Sequence, residues 1–224
     1  MDIIVITHPE LLPFEAEHLN ALFSKGLKRL HLRKPLATKE EIRYLIAQIP
    51  AQYHACIRVH QHYDLGNEFA LRGIHHKSTH DINDAGINKG YSRSCHSFEE
   101  LKRYHSNYEY LFLSPIFDSI SKDKYHSNFT LEQCHEFFLA HPEINNIVAL
   151  GGISAKNISA LTTIGFSGAA VIGSIWKNKC QSIQDTVNYY EQLVQQSQTP
   201  LERASTNSPV IQTSNNRVIK KSSR

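Results

Sequence analysis

Residues 145–176 read NNIVALGGISAKNISALTTIGFSGAAVIGSIW, and this stretch limits the choice of fold more than any other. Ile147–Leu150 is a short apolar run that ends in Gly151-Gly152, and Ala169–Ile172 is another that ends in Gly173-Ser174. A helical pattern from Ala155 to Ile164 separates them. Short Val/Ile/Ala runs closed by small residues have the character of parallel strands buried on both faces. Small residues at a strand end let the backbone come close to an anion, and a helix N-terminus points N–H groups at it. A (β/α)8 barrel holds a phosphate at two neighbouring strand ends of this kind, late in the chain. The plainer alternative is two ordinary strand-to-helix turns.

The rest of the chain repeats the alternation. Strands are expected at Asp2–Thr7, Arg29–Arg33, Cys56–His60, Gly73–His75, Gly90–Ser94 and Tyr110–Leu113. Helices are expected over Pro9–Ser24, Lys39–Ile49, Tyr63–Leu71, Phe98–Tyr104, Leu131–Leu139 and Ile183–Gln196. Eight such units make a small barrel, near the lower size limit of about 200 residues. The fold class is therefore α/β, a single (β/α)8 TIM barrel over residues 1–197. A doubly wound sheet is the alternative, but it would place a Gly-rich phosphate turn after the first strand, where this chain has Thr7-His8-Pro9.

The net charge of +3 is unevenly spread. From Gln198 onward Arg203, Arg217, Lys220, Lys221 and Arg224 face one acid, Glu202, so the tail carries the excess and the body is nearly neutral. The body has no charge bias that calls for nucleic acid or a membrane. Residues 198–224 are polar and without period, as expected of a disordered extension. No apolar run approaches about 18 residues, nothing resembling a leader precedes the first strand, and Cys56, Cys95, Cys134 and Cys180 form no CxxC. A cytoplasmic protein with reduced thiols is expected.

In a barrel the site is built from the C-terminal strand ends. These carry Thr7 and His8; His31, Arg33 and Lys34; His60 and Gln61; His75 and His80; Ser94 and His96; Ser119, Ser121 and Lys122; and the glycine pairs. Arg33 and Lys122 suit an anionic group, and imidazoles suit proton transfer near neutral pH. The ends of strands two to five hold no Asp or Glu, whereas Mg²⁺ wants oxygen ligands and usually one or two carboxylates. A transition-metal site drawn from His60, His62, His75, His76 and His80 is a further alternative to ordinary surface histidines.

Five segments together resemble one family: HLRKP at His31–Pro35, RSCHSFEEL at Arg93–Leu101, SPIFDSISK at Ser114–Lys122, ALGGIS at Ala149–Ser154 and GAAVIGSI at Gly168–Ile175. Their order and spacing are similar to those of the thiamine phosphate synthase/TenI superfamily, over about Ile3 to Trp176. The synthase joins a pyrimidine pyrophosphate to a thiazole phosphate using Mg²⁺. The resemblance puts Arg33 on the arginine of a Gln-x-Arg-x-Lys motif and Ser94 on the pyrophosphate-binding serine. Ser119, Ser121 and Lys122 fall on a Thr-x-Thr-Lys segment, and Gly152 on the phosphate-binding Gly-Gly, with Gly151, Gly173 and Ser174 beside it.

Other positions depart from the family. The motif's glutamine is His31 and its final lysine is Pro35, with Lys34 next door. Gln61 and His80 occupy the family's metal-ligand positions. His-x-Arg on the second strand and Arg-Ser-x-His-Ser-x-Glu-Glu after the fifth look like the TenI branch, which aromatises a thiazole carboxylate phosphate by moving a proton. His96 matches that branch's catalytic histidine. The expected function is therefore a thiazole tautomerase with His96 and no metal. A divergent synthase with Mg²⁺ and a noncatalytic or regulatory phosphate-ligand binder are the alternatives. The expected partners are thiazole phosphate, pyrimidine pyrophosphate for a synthase, and no nucleic acid or membrane, with homo-oligomerisation open.

Overall fold

The computed structural model describes residues 1–79, 90–118, 127–176 and 182–198. Its strands are β1 (Asp2–Ile6), β2 (Leu30–Leu32), β3 (Ile57–Val59), β4 (Gly73–His76), β5 (Ser92–Cys95), β6 (Tyr110–Leu113), β7 (Ile147–Leu150) and β8 (Gly168–Val171). They pair in chain order, all parallel, and β1 closes on β8 through Asp2↔Gly168 to Val5↔Val171. The fold is a closed (β/α)8 barrel, as the alternating pattern requires. The expected strand 7 and strand 8 ends are direct neighbours, Leu150 against Ala170.

The helices are α1 (Glu15–Ser24), α2 (Lys39–Ala47), α3 (Asp64–Glu68), α4 (Phe98–Tyr104), α5 (Leu131–Ala140) and α6 (Ile183–Gln196), with 3₁₀ turns at Ala51–Cys56 and Ile158–Leu161. Thr38 with Glu41, Thr130 with Gln133 and Ser182 with Asp185 form capping boxes at the starts of α2, α5 and α6. Each satisfies two backbone donors that the first turn leaves open. The first helix begins at Glu15 rather than Pro9, because Phe14, with φ of 55°, breaks the helical path ahead of it. The expected helix at 155–164 shrinks to a 3₁₀ turn. There the Asn157 side chain takes the Ser154 N–H at 2.8 Å and gives its own N–H to the Gly152 carbonyl at 2.9 Å. Local side-chain bonds of this kind compete with helix formation.

Alternate residues of each strand face opposite ways. Ile3, Val5, Leu30, Leu32, Ile57 and Val59 pack outward under the helices. The inward set divides in two. β1, β6, β7 and β8 supply Ile4, Ile6, Phe112, Val148 and Ala170. The other half of the barrel supplies polar groups that are at least 98% buried: His31 from β2, Arg58 from β3, His75 from β4 and Ser92 from β5. Buried polar groups of this kind need partners. Arg58 meets Glu109 at 2.7 Å and the Gly90 carbonyl at 2.9 Å, and its guanidinium lies over the Tyr110 ring. No helix among the described residues is long and apolar enough to cross a membrane.

Candidate active site at the barrel mouth

A cavity of 670 Å³ opens at the C-terminal ends of the strands. Its polar walls include Arg33, His60, Gln61, His75, Lys77, Ser94 and His96, and its apolar walls include Ile6, Phe112, Leu150 and Ile172. A few polar groups set in an apolar cleft of this size are characteristic of small-molecule sites. Strand direction explains the convergence, since each wall residue sits at or just beyond the end of its strand. Arg33 follows β2, His60 and Gln61 follow β3, Lys77 follows β4, Ser94 belongs to β5 and His96 follows it.

The expected residues do not all reach this cavity. Arg33, Ser94 and His96 do. His31 lies below it, fully buried, with Nδ1 2.9 Å from His60 Nε2 and Nε2 against the Tyr110 hydroxyl. Lys34 takes a different place from the phosphate-binding one expected of it. Its ammonium is fully buried against the Glu15 carboxylate at 2.5 and 2.6 Å and donates to the His8 and Glu10 carbonyls at 2.8 Å. Burial holds this ammonium below its ordinary pKa, with Glu15 opposing the shift. Gln61 is a cavity wall, but its amide N–H₂ is turned onto the Lys34 carbonyl. His80, Ser119, Ser121 and Lys122 lie outside the described residues.

Gly151 and Gly152 have positive φ, 103° and 62°. The expected reason for glycine here was close approach of an anion. The geometry gives another. A Cβ on Gly152 would lie 2.3 Å from the Asp118 carbonyl oxygen, and one on Gly151 would lie 2.9 Å from Pro115 Cα. These glycines let the 115–118 segment cross the end of β7, held by Ile116 N–H to the Leu150 carbonyl and Phe117 N–H to the Gly151 carbonyl. Gly152→Val is therefore expected to displace that segment and to lower the melting temperature as well as ligand affinity. Thermal unfolding without ligand checks this, and an unchanged melting temperature would count against it. After β8, Gly173 is exposed, and the Ser174 hydroxyl is buried with no hydrogen-bond partner among the described residues. Neither residue is on the cavity wall.

The electrostatics are those of an anion site. Burial pushes the His60 imidazole down to about 3, helped by the charges of Arg33 and Lys77. His75 is driven well below its ordinary range by burial, then by His60, His76, Arg58 and Arg33. Both of its nitrogens are engaged, Nδ1 with Ser92 Oγ and Nε2 with Ser94 Oγ, each at 2.8 Å. His96 stands exposed at the rim, with Nδ1 2.9 Å from the Ser114 carbonyl. A carbonyl can only accept, so Nδ1 carries the proton and the neutral ring offers Nε2 as a base. Lys77 was not among the residues singled out as ligand-binding. Its signal was its place, two residues beyond inward-facing His75 at the end of a strand.

Fold and pocket together define a (β/α)8-barrel protein with a cavity at its strand ends whose charged wall residues include Arg33 and Lys77. The sequence profile described as thiamine monophosphate synthase matches residues 3–175, and the chain belongs to that family. Among solved structures it is similar to a thiamine phosphate pyrophosphorylase from Bacteroides thetaiotaomicron, at 33% identity over 88% of this chain and 98% of that one, with a TM-score of 0.77. A thiamine phosphate pyrophosphorylase from Pyrococcus furiosus shares the fold at 22% identity, over 88% of this chain and 95% of that one, with a TM-score of 0.70. A curated thiamine-phosphate synthase from Latilactobacillus sakei is 35% identical over 97 residues, which is 41% of this chain and 42% of that relative. That match thus spans less than half of the relative's length.

Proposed function

We propose that this chain acts in thiamine biosynthesis as a synthase, joining a hydroxymethylpyrimidine pyrophosphate to a thiazole phosphate with release of pyrophosphate. The sequence alone leaned toward the tautomerase branch. The 33% identity across 98% of a thiamine phosphate pyrophosphorylase moves the synthase ahead. The observation that carries the reading is the pair of cations, Arg33 and Lys77, on the wall of one cavity at the barrel mouth, beside Ser94. Two phosphorylated substrates bring several negative charges to that mouth, and paired cations suit them. Arg33 and Lys77 balance the charge that gathers on a leaving pyrophosphate, which is electrostatic stabilisation in a partly enclosed site. The apolar wall of Ile6, Phe112, Leu150 and Ile172 shields the reacting rings from water.

The family resemblance brings Mg²⁺ with it, and the described residues do not fit that ion. Among the described residues no carboxylate lines the cavity, and Gln61 is turned onto backbone. Mg²⁺ sites ordinarily use one or two carboxylates. No step is therefore assigned to Mg²⁺ here.

The tautomerase remains the second reading because of His96. The bond of its Nδ1 to the Ser114 carbonyl supports this reading, since it leaves Nε2 for moving a ring proton. Incubation with both phosphorylated substrates, followed by chromatography for thiamine phosphate and an assay for pyrophosphate, tests the synthase. Loss of a ring proton from a thiazole carboxylate phosphate, with no coupling product, would replace it with the tautomerase. In that case His96→Gln should lose about 100-fold in rate while still binding ligand. Binding without turnover of either kind would leave the regulatory reading. For either enzyme Arg33→Ala should weaken the phosphorylated ligand about tenfold or more, as loss of a charged hydrogen bond does. Calorimetry reads this directly, and unchanged affinity would take Arg33 out of the site.

A further inference from the structure

Among the described residues the pocket wall holds no carboxylate for a hard cation, and a different donor set lies at its floor. His31, His60 and His75 come from adjacent strands or their ends. They are 0%, 8% and 2% exposed. One ring nitrogen from each lies within 4.8 Å of the others. We propose that these three histidines form a site for a borderline transition-metal dication of the zinc class, not for Mg²⁺.

Three imidazoles with one position left for solvent or substrate are a known donor set for catalytic zinc, and imidazole suits zinc, copper, nickel and cobalt rather than magnesium. The outward nitrogens of His31 and His75 are already arranged as such a site requires. A ligating histidine gives its other N–H to an oriented acceptor, which fixes the tautomer and the ring plane. His31 Nε2 meets the Tyr110 hydroxyl, leaving Nδ1 for the ion. His75 Nδ1 meets Ser92 Oγ at 2.8 Å, leaving Nε2, which now touches Ser94 Oγ on the cavity wall. His60 contributes Nε2, which lies 2.9 Å from His31 Nδ1.

Without metal, His31 Nδ1 and His60 Nε2 satisfy one another, and His75 Nε2 bonds to Ser94 Oγ. A tetrahedral ion with bonds of about 2.0–2.1 Å holds its nitrogens about 3.3 Å apart, so His31 and His60 need to separate by only a few tenths of an ångström. The charge balance points to the open position. No carboxylate is among the three donors, and Arg33 and Lys77 line the same cavity as His60. The dication's charge is then offset by an anion from the cavity, hydroxide or a phosphate oxygen. This inference does not depend on which reaction the pocket runs, and it is tested without substrate.

The test uses the full chain without an affinity tag, stripped with chelator and then titrated with Zn²⁺ by calorimetry and with Co²⁺ by visible absorption. The expected result is about one ion per chain, the d–d bands of low-coordinate cobalt, and no competition from excess Mg²⁺. His60→Gln and His75→Ala should each lower zinc affinity by about 100-fold or more, and His135→Ala, on the exposed face of α5, should leave it unchanged. Thermal unfolding of the stripped variants establishes that they fold. If His75→Ala does not, His60→Gln carries the test, since an amide at the cavity edge can still bond to His31. A folded wild-type chain that takes up no ion overturns the proposal. So does zinc affinity that survives His60→Gln, or that falls as far in His135→Ala, or Mg²⁺ that competes as an equal.

Discussion

Lys34→Met is expected to destabilise the fold by about 3–5 kcal/mol, as breaking one side of a buried ion pair does. The Lys34 and Glu15 side chains are 0% and 2% exposed, and the ammonium sits 2.5 Å from the carboxylate. Removing the cation strands Glu15 in a place where water cannot reach it. The His8 and Glu10 carbonyls lose a donor at the same time. These contacts join the end of β2 to the segment between β1 and α1, so their loss loosens one quadrant of the barrel mouth. The double variant Lys34→Met/Glu15→Leu should recover much of the loss, because two apolar side chains need no charge compensation. Denaturant unfolding of the wild type, the single variant and the double variant checks both statements. A single-variant loss below about 0.5 kcal/mol would match an ordinary surface substitution and refute this account.

That pair also marks where the sequence stopped being legible. The barrel was readable because each strand is a short run closed by small or polar residues, and because eight units recur with the right spacing. The mouth was readable in part: Arg33, Ser94 and His96 stand at the cavity where strand direction put them. Lys34 was misjudged because a lysine after a strand offers two destinations, and only the fold reveals that Glu15 from α1 arrives beside it. His31 was placed too high. It shares a strand face with Arg33 two residues later, and that period puts it one layer deeper, under the cavity. The same alternation was present in RLHLR and RVH, where polar residues occupy inward positions normally left to apolar ones. It read as a reactive mouth and was also the sign of a polar barrel floor. The glycines after β7 were tied to a ligand, whereas the crossing segment at 115–118 already demands them. Sequence spacing carries no information on which loop folds over which strand.

The polar floor sets the last expectation, an acid-labile fold in the metal-free protein. Burial first, then neighbouring imidazoles and arginines, holds His31 well below its ordinary pKa. His75 is shifted the same way, and His60 falls to about 3. Among the described residues no carboxylate is among the groups acting on these three, and the charges that lower them are those of Arg58, Arg29, Arg33 and Lys77 beside the neighbouring imidazoles. The unfolded chain releases each histidine to its reference value near 6.5. Below about pH 6.5 the unfolded state therefore binds more protons than the folded state, so stability rises with pH in this window and is lost as pH falls toward about 3. Each histidine contributes about 1.4 kcal/mol per pH unit while it is charged only in the unfolded chain, so the three together give about 4 kcal/mol per unit. A drop of that slope between pH 6 and pH 5 approaches the whole stability of an ordinary domain, which is about 5–15 kcal/mol. Urea unfolding of chelator-treated protein at half-unit steps from pH 7.5 measures the slope, and most carboxylates stay ionised until about pH 5, which keeps the upper half of the window clean. His60→Gln should flatten the slope by about a third, because it removes one of the three titrations. A stability that holds level from pH 7 to pH 5 would mean that these imidazoles take up protons in place, and the buried, neutral floor described here would be wrong.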